Sequence, residues 1–134
     1  LQAQLHATQR PFHWMLEFPE LFFAERPGSL DAVVGNPPFA GKNNIAEAGG
    51  PRYVEWLQAI HPGAHGNADL SAHFLRRADT FIHAHGTIGL IATNTIGQGD
   101  TRATGLQPLV AGRGYTIYDA TIDIRNGGER SRSR

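Results

Sequence analysis

Apolar residues fall along this chain in two alternating rhythms, short unbroken runs and stripes at helical spacing. Leu30 to Val34 is a short apolar run with paired valines, ending in Gly35-Asn36-Pro37-Pro38. It predicts a buried strand stopped by prolines that cannot donate to a ladder. From Ala40 to Pro51 the sequence is rich in glycine and asparagine, which predicts a mobile loop. Tyr53, Trp56, Leu57 and Ile60 then occupy positions i, i+3, i+4 and i+7, one face of a short amphipathic helix. After Pro62-Gly63, Asn67 is placed to cap a second helix, with Asp69 favoured electrostatically in its first turn. Leu70, Phe74, Ala78, Phe81 and Ile82 line one side of that helix, and Arg76, Arg77, Thr80 and His83 the other. Gly86 is placed to end it. Thr87 to Thr93 predicts a second buried strand, and Asn94 to Arg102 the loop at its carboxyl end. Leu106, Leu109 and Val110 suggest a further short helix, and the β-like alternation of Thr116 to Ile124 predicts a third strand.

Strand, helix, strand, helix, strand implies an α/β fold, a parallel or mixed sheet with helices on its faces. Ligands of open sheets of this kind bind outside the carboxyl ends of the strands. The two loops of interest are therefore Asn36 to Lys42 and Thr93 to Arg102.

Composition narrows the function classes. The chain has 134 residues, 40% hydrophobic and 18% charged, which is globular composition and not that of a disordered segment. No apolar run approaches a membrane span, and the start has no signal-peptide pattern, so a soluble, cytoplasmic protein is expected. With no cysteine, disulfides, thiolate nucleophiles and cysteine-ligated zinc are excluded. Twelve basic and twelve acidic residues cancel, so composition by itself does not announce nucleic acid. The last ten residues hold four of the twelve Lys and Arg and read as a solvated end. Seven histidines invite a metal, but there is no His-Glu-x-x-His string, and Pro62 and Gly63 deny His61 and His65 a common helix. No metal is expected. His83 and His85 are read at a helix end, where the dipole favours imidazolium. The glycine pairs at Gly86 and Gly89, and at Gly97 and Gly99, form no phosphate-binding fingerprint.

One constellation carries chemistry, Asn36-Pro37-Pro38-Phe39 at a strand end. The exocyclic amine of adenine is a poor nucleophile because its lone pair is delocalised into the ring. An asparagine side-chain oxygen and a backbone carbonyl, both acceptors, can take the two amino hydrogens and free that lone pair. Asn36 and the Pro37 carbonyl suit those roles. Pro37 and Pro38 fix φ and remove two N–H donors, holding the turn rigid. Phe39 can stack on a base swung out of the duplex. Against this, Asn-Pro is also an ordinary turn initiator.

With these residues laid out, the chain resembles the amino-methyltransferases, whose motif after a strand reads Asp/Asn/Ser-Pro-Pro-aromatic. Phe12-His13-Trp14 with Leu16-Glu17-Phe18-Pro19-Glu20, then GNPPFAGK, ADLSAHFLRRAD and GLIATNTIGQGDTR, together resemble the methyltransferase domain of fused restriction-modification enzymes of the MmeI-like type. The resemblance implies a Rossmann-like sheet, S-adenosylmethionine as methyl donor, and methylated adenine in double-stranded DNA reached by base flipping. It implies that Asn36, Pro37, Pro38 and Phe39 are catalytic. Thr93, Asn94 and Thr95 would lie beside the flipped base, and Lys42 would meet a phosphate or stay solvated. Asp69 matches the family's Ala-Asp-Leu segment without an assigned role. The family's donor-binding turn is not found, and is expected upstream of Leu1. Residues 1–124 are thus read as the target-base half of a methyltransferase domain, a partial Rossmann-like sheet lacking the N-terminal donor-binding strands. Residues 125–134 are read as a disordered or non-native tail. Such a fragment is expected to be inactive alone. Other readings are a methyltransferase of RNA guanine or protein glutamine, a non-catalytic binding module, and a decayed remnant.

Overall fold

A computed structural model describes residues 12–23, 30–122 and 131–133. In chain order its elements are α1 (Trp14–Glu17), α2 (Pro19–Phe23), β1 (Leu30–Gly35), α3 (Lys42–Gly49), α4 (Pro51–Ile60), α5 (Leu70–Asp79) and β2 (Ile82–Leu90). A 3₁₀ turn (Asn94–Gly97), α6 (Gly99–Thr104), a π-helical turn (Pro108–Gly112), β3 (Ala120–Ile122) and β4 (Ser131–Ser133) follow. β1 and β2 pair in parallel, and the chain between them crosses over through α3, α4 and α5. The molecule is α/β, a small parallel sheet with several helices, as a partial Rossmann-like unit should be.

β1 is where the valine run predicts it, but neither strand is buried as expected: β1 has no buried residue and β2 has only Ile82, because among the described residues the sheet has no third strand to cover them. The predicted loop after β1 is largely helical instead. Ile45 is buried in α3 and Leu57 in α4, and the two helices pack together. Burial of one isoleucine outweighs the poor helix propensity of the surrounding Asn and Gly. Of the face predicted for α4, Leu57 is buried while Trp56 and Ile60 are exposed.

The cap of α5 is Asp69 and not Asn67. Asp69 is extended (φ −68°, ψ 149°) and its Oδ1 accepts from the Ser71 N–H at 2.9 Å, whereas the Asn67 amide turns to Asp100 Oδ2 at 3.3 Å. The buried face also differs. Ser71, Ala72, Leu75 and Ala78 point inward, and Phe74 is exposed. Small residues win because the end of α6 comes very close: a Cβ on Gly105 would stand 3.0 Å from that of Ala72.

α5 ends earlier than predicted, and β2 begins earlier. Pairing of Leu30 with Ile82 starts β2 there, with Leu30 N–H donating to the Phe81 carbonyl at 3.1 Å. Between the pairs Leu30↔Ile82 and Ala32↔Thr87, β1 advances two residues and β2 five, so β2 bulges. Gly86 therefore does not terminate a helix. It lies in this bulge, where an added Cβ would meet the Ile82 Cβ at 2.9 Å and the Leu30 carbonyl at 3.2 Å. His83 and His85 consequently sit in β2, not at a helix end. His85 N–H donates to His83 Nδ1 at 3.0 Å, which leaves Nε2 to donate to Asp31 Oδ1 at 2.9 Å.

The predicted loop Asn94 to Arg102 is ordered into the 3₁₀ turn and the start of α6. The predicted third strand is not part of the β1–β2 sheet. Its core, β3, pairs antiparallel with β4, while residues 114–119 are irregular and expose Ile117 and Tyr118. Alternation announces a strand without naming its partner. The Tyr115 hydroxyl donates to Asp79 Oδ1 at 2.8 Å and Arg113 Nε meets the same oxygen at 3.1 Å, tying this segment to the end of α5 instead. Asp123, Ile124 and residues 125–130 and 134 lie outside the described residues, and the expected division after residue 124 falls among them.

Candidate functional site

Because β1 and β2 are parallel and paired to their ends, Gly35 opposite Leu90, the residues that follow each leave the sheet side by side. Asn36-Pro37-Pro38-Phe39 leaves β1; Thr93-Asn94-Thr95 leaves β2 three residues after its end. This is the edge at which open parallel sheets present ligand-binding residues.

The tetrapeptide is pinned at both ends by backbone hydrogen bonds. The Gly35 carbonyl accepts from Ile91 N–H at 3.0 Å, and the Ala40 carbonyl accepts from Leu70 N–H at 2.8 Å. Between these anchors, Pro37 is buried, and Asn36, Pro38 and Phe39 are exposed. Two fixed φ angles within a span tied at each end leave little freedom to the corner. Among the described residues no hydrogen bond engages the Asn36 side chain.

Thr93 is half-buried and caps the 3₁₀ turn in extended geometry (φ −68°, ψ 158°), with its hydroxyl bonded to that of Thr95. Asn94 and Thr95 are exposed. The Thr93 and Thr95 hydroxyls thus hold each other through one hydrogen bond, in which either is able to donate. Lys42 begins α3 and, with Gly41, Asn43, Asn44 and Asn67, lines an open polar cleft of about 370 Å³. Asn67 joins that wall from the turn before α5.

Two groups of residues were not visible in sequence reasoning. The first is Thr101 and Thr104, buried on α6, whose hydroxyls accept from Asp69 N–H at 3.1 Å and His65 N–H at 2.9 Å. Their i, i+3 spacing is the one signal that could have found them. The second is a buried histidine pair. His61, at the end of α4, and His73, in α5, lie with Nδ1 atoms 2.9 Å apart and rings stacked at 5.1 Å. One Nδ1 must donate and the other accept, so at least the accepting ring is neutral. Burial, then the neighbouring His73, Arg76 and Arg77, lowers the His61 pKa to about 4. Burial and Arg76 lower that of His73, against an opposing pull from Asp69. Among the described residues no group of three or more His, Asp or Glu could hold a metal ion, and no helix is long and apolar enough to cross a membrane.

Residues 1–107 match the family model of the Eco57I restriction-modification methylases. The chain belongs to that family. No curated protein and no solved structure matches it in the same comparisons. The Eco57I family fixes the class of chemistry as DNA methylation within a restriction-modification system, with S-adenosylmethionine as the implied donor. The described residues of this methylase do not form a pocket for that donor. Their strand ends carry Asn36-Pro37-Pro38-Phe39 and Thr93-Asn94-Thr95. Neither is a glycine-rich turn or carries a carboxylate, the features by which Rossmann-like sheets hold a nucleotide's phosphates and ribose. The cleft at Lys42 is lined by amides and a cation, with no carboxylate.

Proposed function

We propose that this chain forms the target-base side of an S-adenosylmethionine-dependent DNA adenine methyltransferase of the fused MmeI-like type. It grips an adenine extruded from duplex DNA. The observation that carries the reading is the exposed Asn36 in a proline-stiffened corner, pinned at Gly35 and Ala40, at the carboxyl edge of a parallel sheet. Asn36 Oδ1 and the Pro37 carbonyl accept the two hydrogens of the adenine amine, drawing its nitrogen towards tetrahedral geometry and freeing the lone pair for a methyl group. Phe39, exposed on the same corner, stacks on the base and offsets part of the few kcal/mol that unstacking costs. Asn94 reads an edge of the base, and Lys42 meets a backbone phosphate. The donor supplies an electrophilic methyl group when bound.

The test is the identity of the product. The methylase carrying this chain is incubated with labelled donor and unmethylated DNA, and the DNA is digested to nucleosides. Label is expected in N6-methyladenine; label in methylcytosine, or in RNA or protein instead of DNA, would overturn the assignment. In the same enzyme Asn36→Ala should lower turnover on the order of 10²-fold or more while sparing DNA binding. Near-normal turnover would refute the role of Asn36.

A further inference from the structure

The two loops of the site are joined at a distance from it, through α6. The loop after β2 runs by way of the 3₁₀ turn directly into α6, whose buried Thr101 and Thr104 face the turn at residues 65–69. Thr101 Oγ1 accepts from Asp69 N–H at 3.1 Å, and Thr104 Oγ1 accepts from His65 N–H at 2.9 Å. Asp100 adds two outer ties, to the Asn67 amide at 3.3 Å and to His65 Nδ1 at 3.6 Å. The turn so held leads straight into Asp69, which caps α5, and into Leu70, whose N–H donates to the Ala40 carbonyl at 2.8 Å. That last bond is the far anchor of the Asn36–Phe39 corner. Gly105 lets the end of α6 lie against Ala72 with no room for a side chain between them, so the two helices keep a fixed spacing.

We propose that Thr101 and Thr104, with Asp69, are positioning residues that hold the Asn36–Phe39 corner and the Thr93–Thr95 loop in register. The inference rests on the methylase reading for its purpose, although the hydrogen-bond chain stands by itself. The inner links, at His65, Asp69 and Leu70, use backbone N–H groups, which cannot rotate away as a side chain does. Displacement of α6 therefore moves the Leu70 N–H, and with it the Ala40 carbonyl. A hydroxyl serves at both positions because it is an acceptor for those part-buried N–H groups. Valine fits the same space and leaves them unpaired.

The test uses the chain itself, folded state being checked by circular dichroism. Amide hydrogen exchange is followed at Leu70, at residues 39–42, and in α4 as an internal control. Thr101→Val should raise exchange at Leu70 and at residues 39–42 about tenfold, leave Leu57 and His61 unchanged, and be rescued by Thr101→Ser. In the methylase carrying the chain, Thr101→Val should lower kcat about tenfold with the KM for DNA unchanged, again restored by serine. Should Thr101→Val not fold, Asn67→Ala, at an exposed tie of the same brace, should move the same amides by a smaller factor. Unchanged exchange at Leu70 and residues 39–42 would overturn the brace. Faster exchange with wild-type kcat would overturn its positioning role. A wild-type enzyme that transfers no methyl group to DNA would instead remove the methylase reading, a result distinct from either.

Discussion

At Asn36 the decisive property is an exposed side chain with no hydrogen bond among the described residues, beside a proline that is buried. The pairing of an exposed side chain with an immobile backbone is what a hydrogen-bond trap for an amine requires, since an unanchored corner would lose orientation on every encounter. A different residue shows the opposite case. Ser71 is almost fully buried on α5, and among the described residues its hydroxyl has no hydrogen-bond partner. Desolvating a hydroxyl without a partner is unfavourable, so Ser71→Ala is expected to stabilise the chain by up to about 1 kcal/mol. Thermal unfolding checks this; a fall in midpoint would mean that the hydroxyl is bonded after all. Both residues sit in motifs legible in the sequence, GNPPF and ADLS. Which of their side chains is exposed was not legible, because burial is a property of neighbours brought from elsewhere in the chain.

Between elements, two contacts govern how α5 is held. The neutral His61–His73 pair joins the end of α4 to α5. Its folded pKa, about 4 for His61 and also lowered for His73, lies below the value near 6.5 of an unfolded histidine. The unfolded chain therefore takes up protons first as the pH falls. The pair's contribution is complete above about pH 6.5, declines through the window down to about pH 4, and is gone below it. The slope is at most about 1.4 kcal/mol per pH unit for each proton. Urea midpoints should accordingly drop between pH 7.5 and pH 5, and a pair that tolerates charge would show none of that drop. The second contact is α6 against α5 at Gly105 and Ala72. Gly105→Ala forces the helices apart and is expected to cost about 1–3 kcal/mol, read as a lower unfolding midpoint. Helical stripes predicted α4 and α5 as elements, yet named Phe74 as core and passed over His73, because periodicity cannot weigh a bulky exposed ring against the small residues that a close neighbour demands.

On the scale of the molecule, the sheet has only β1 and β2 among the described residues, and Val34 at 81% and Ile91 at 66% exposure stand at its carboxyl end. Leu16 and Phe23 add further exposed apolar surface on α1 and α2. A two-stranded sheet with open apolar positions is marginal in water and prone to association. The chain in isolation is expected to self-associate as its concentration rises. Sedimentation velocity would show this, and a single monomeric species at high concentration would contradict it.

The strand run at Leu30 to Val34, its proline stop and the strand–helix alternation are local patterns, and they sufficed by themselves for an α/β fold with Asn36-Pro37-Pro38-Phe39 at a strand end. Each depends on the conformational preference of residues near one another in the chain. Tertiary structure alone decided the rest: that α3 is helical, that Gly86 serves a bulge, that Ala120–Ile122 pairs away from the main sheet, and that Thr101 of α6 accepts from the Asp69 N–H. All four turn on which distant groups meet, and a one-dimensional pattern of apolar and polar positions carries no record of partners.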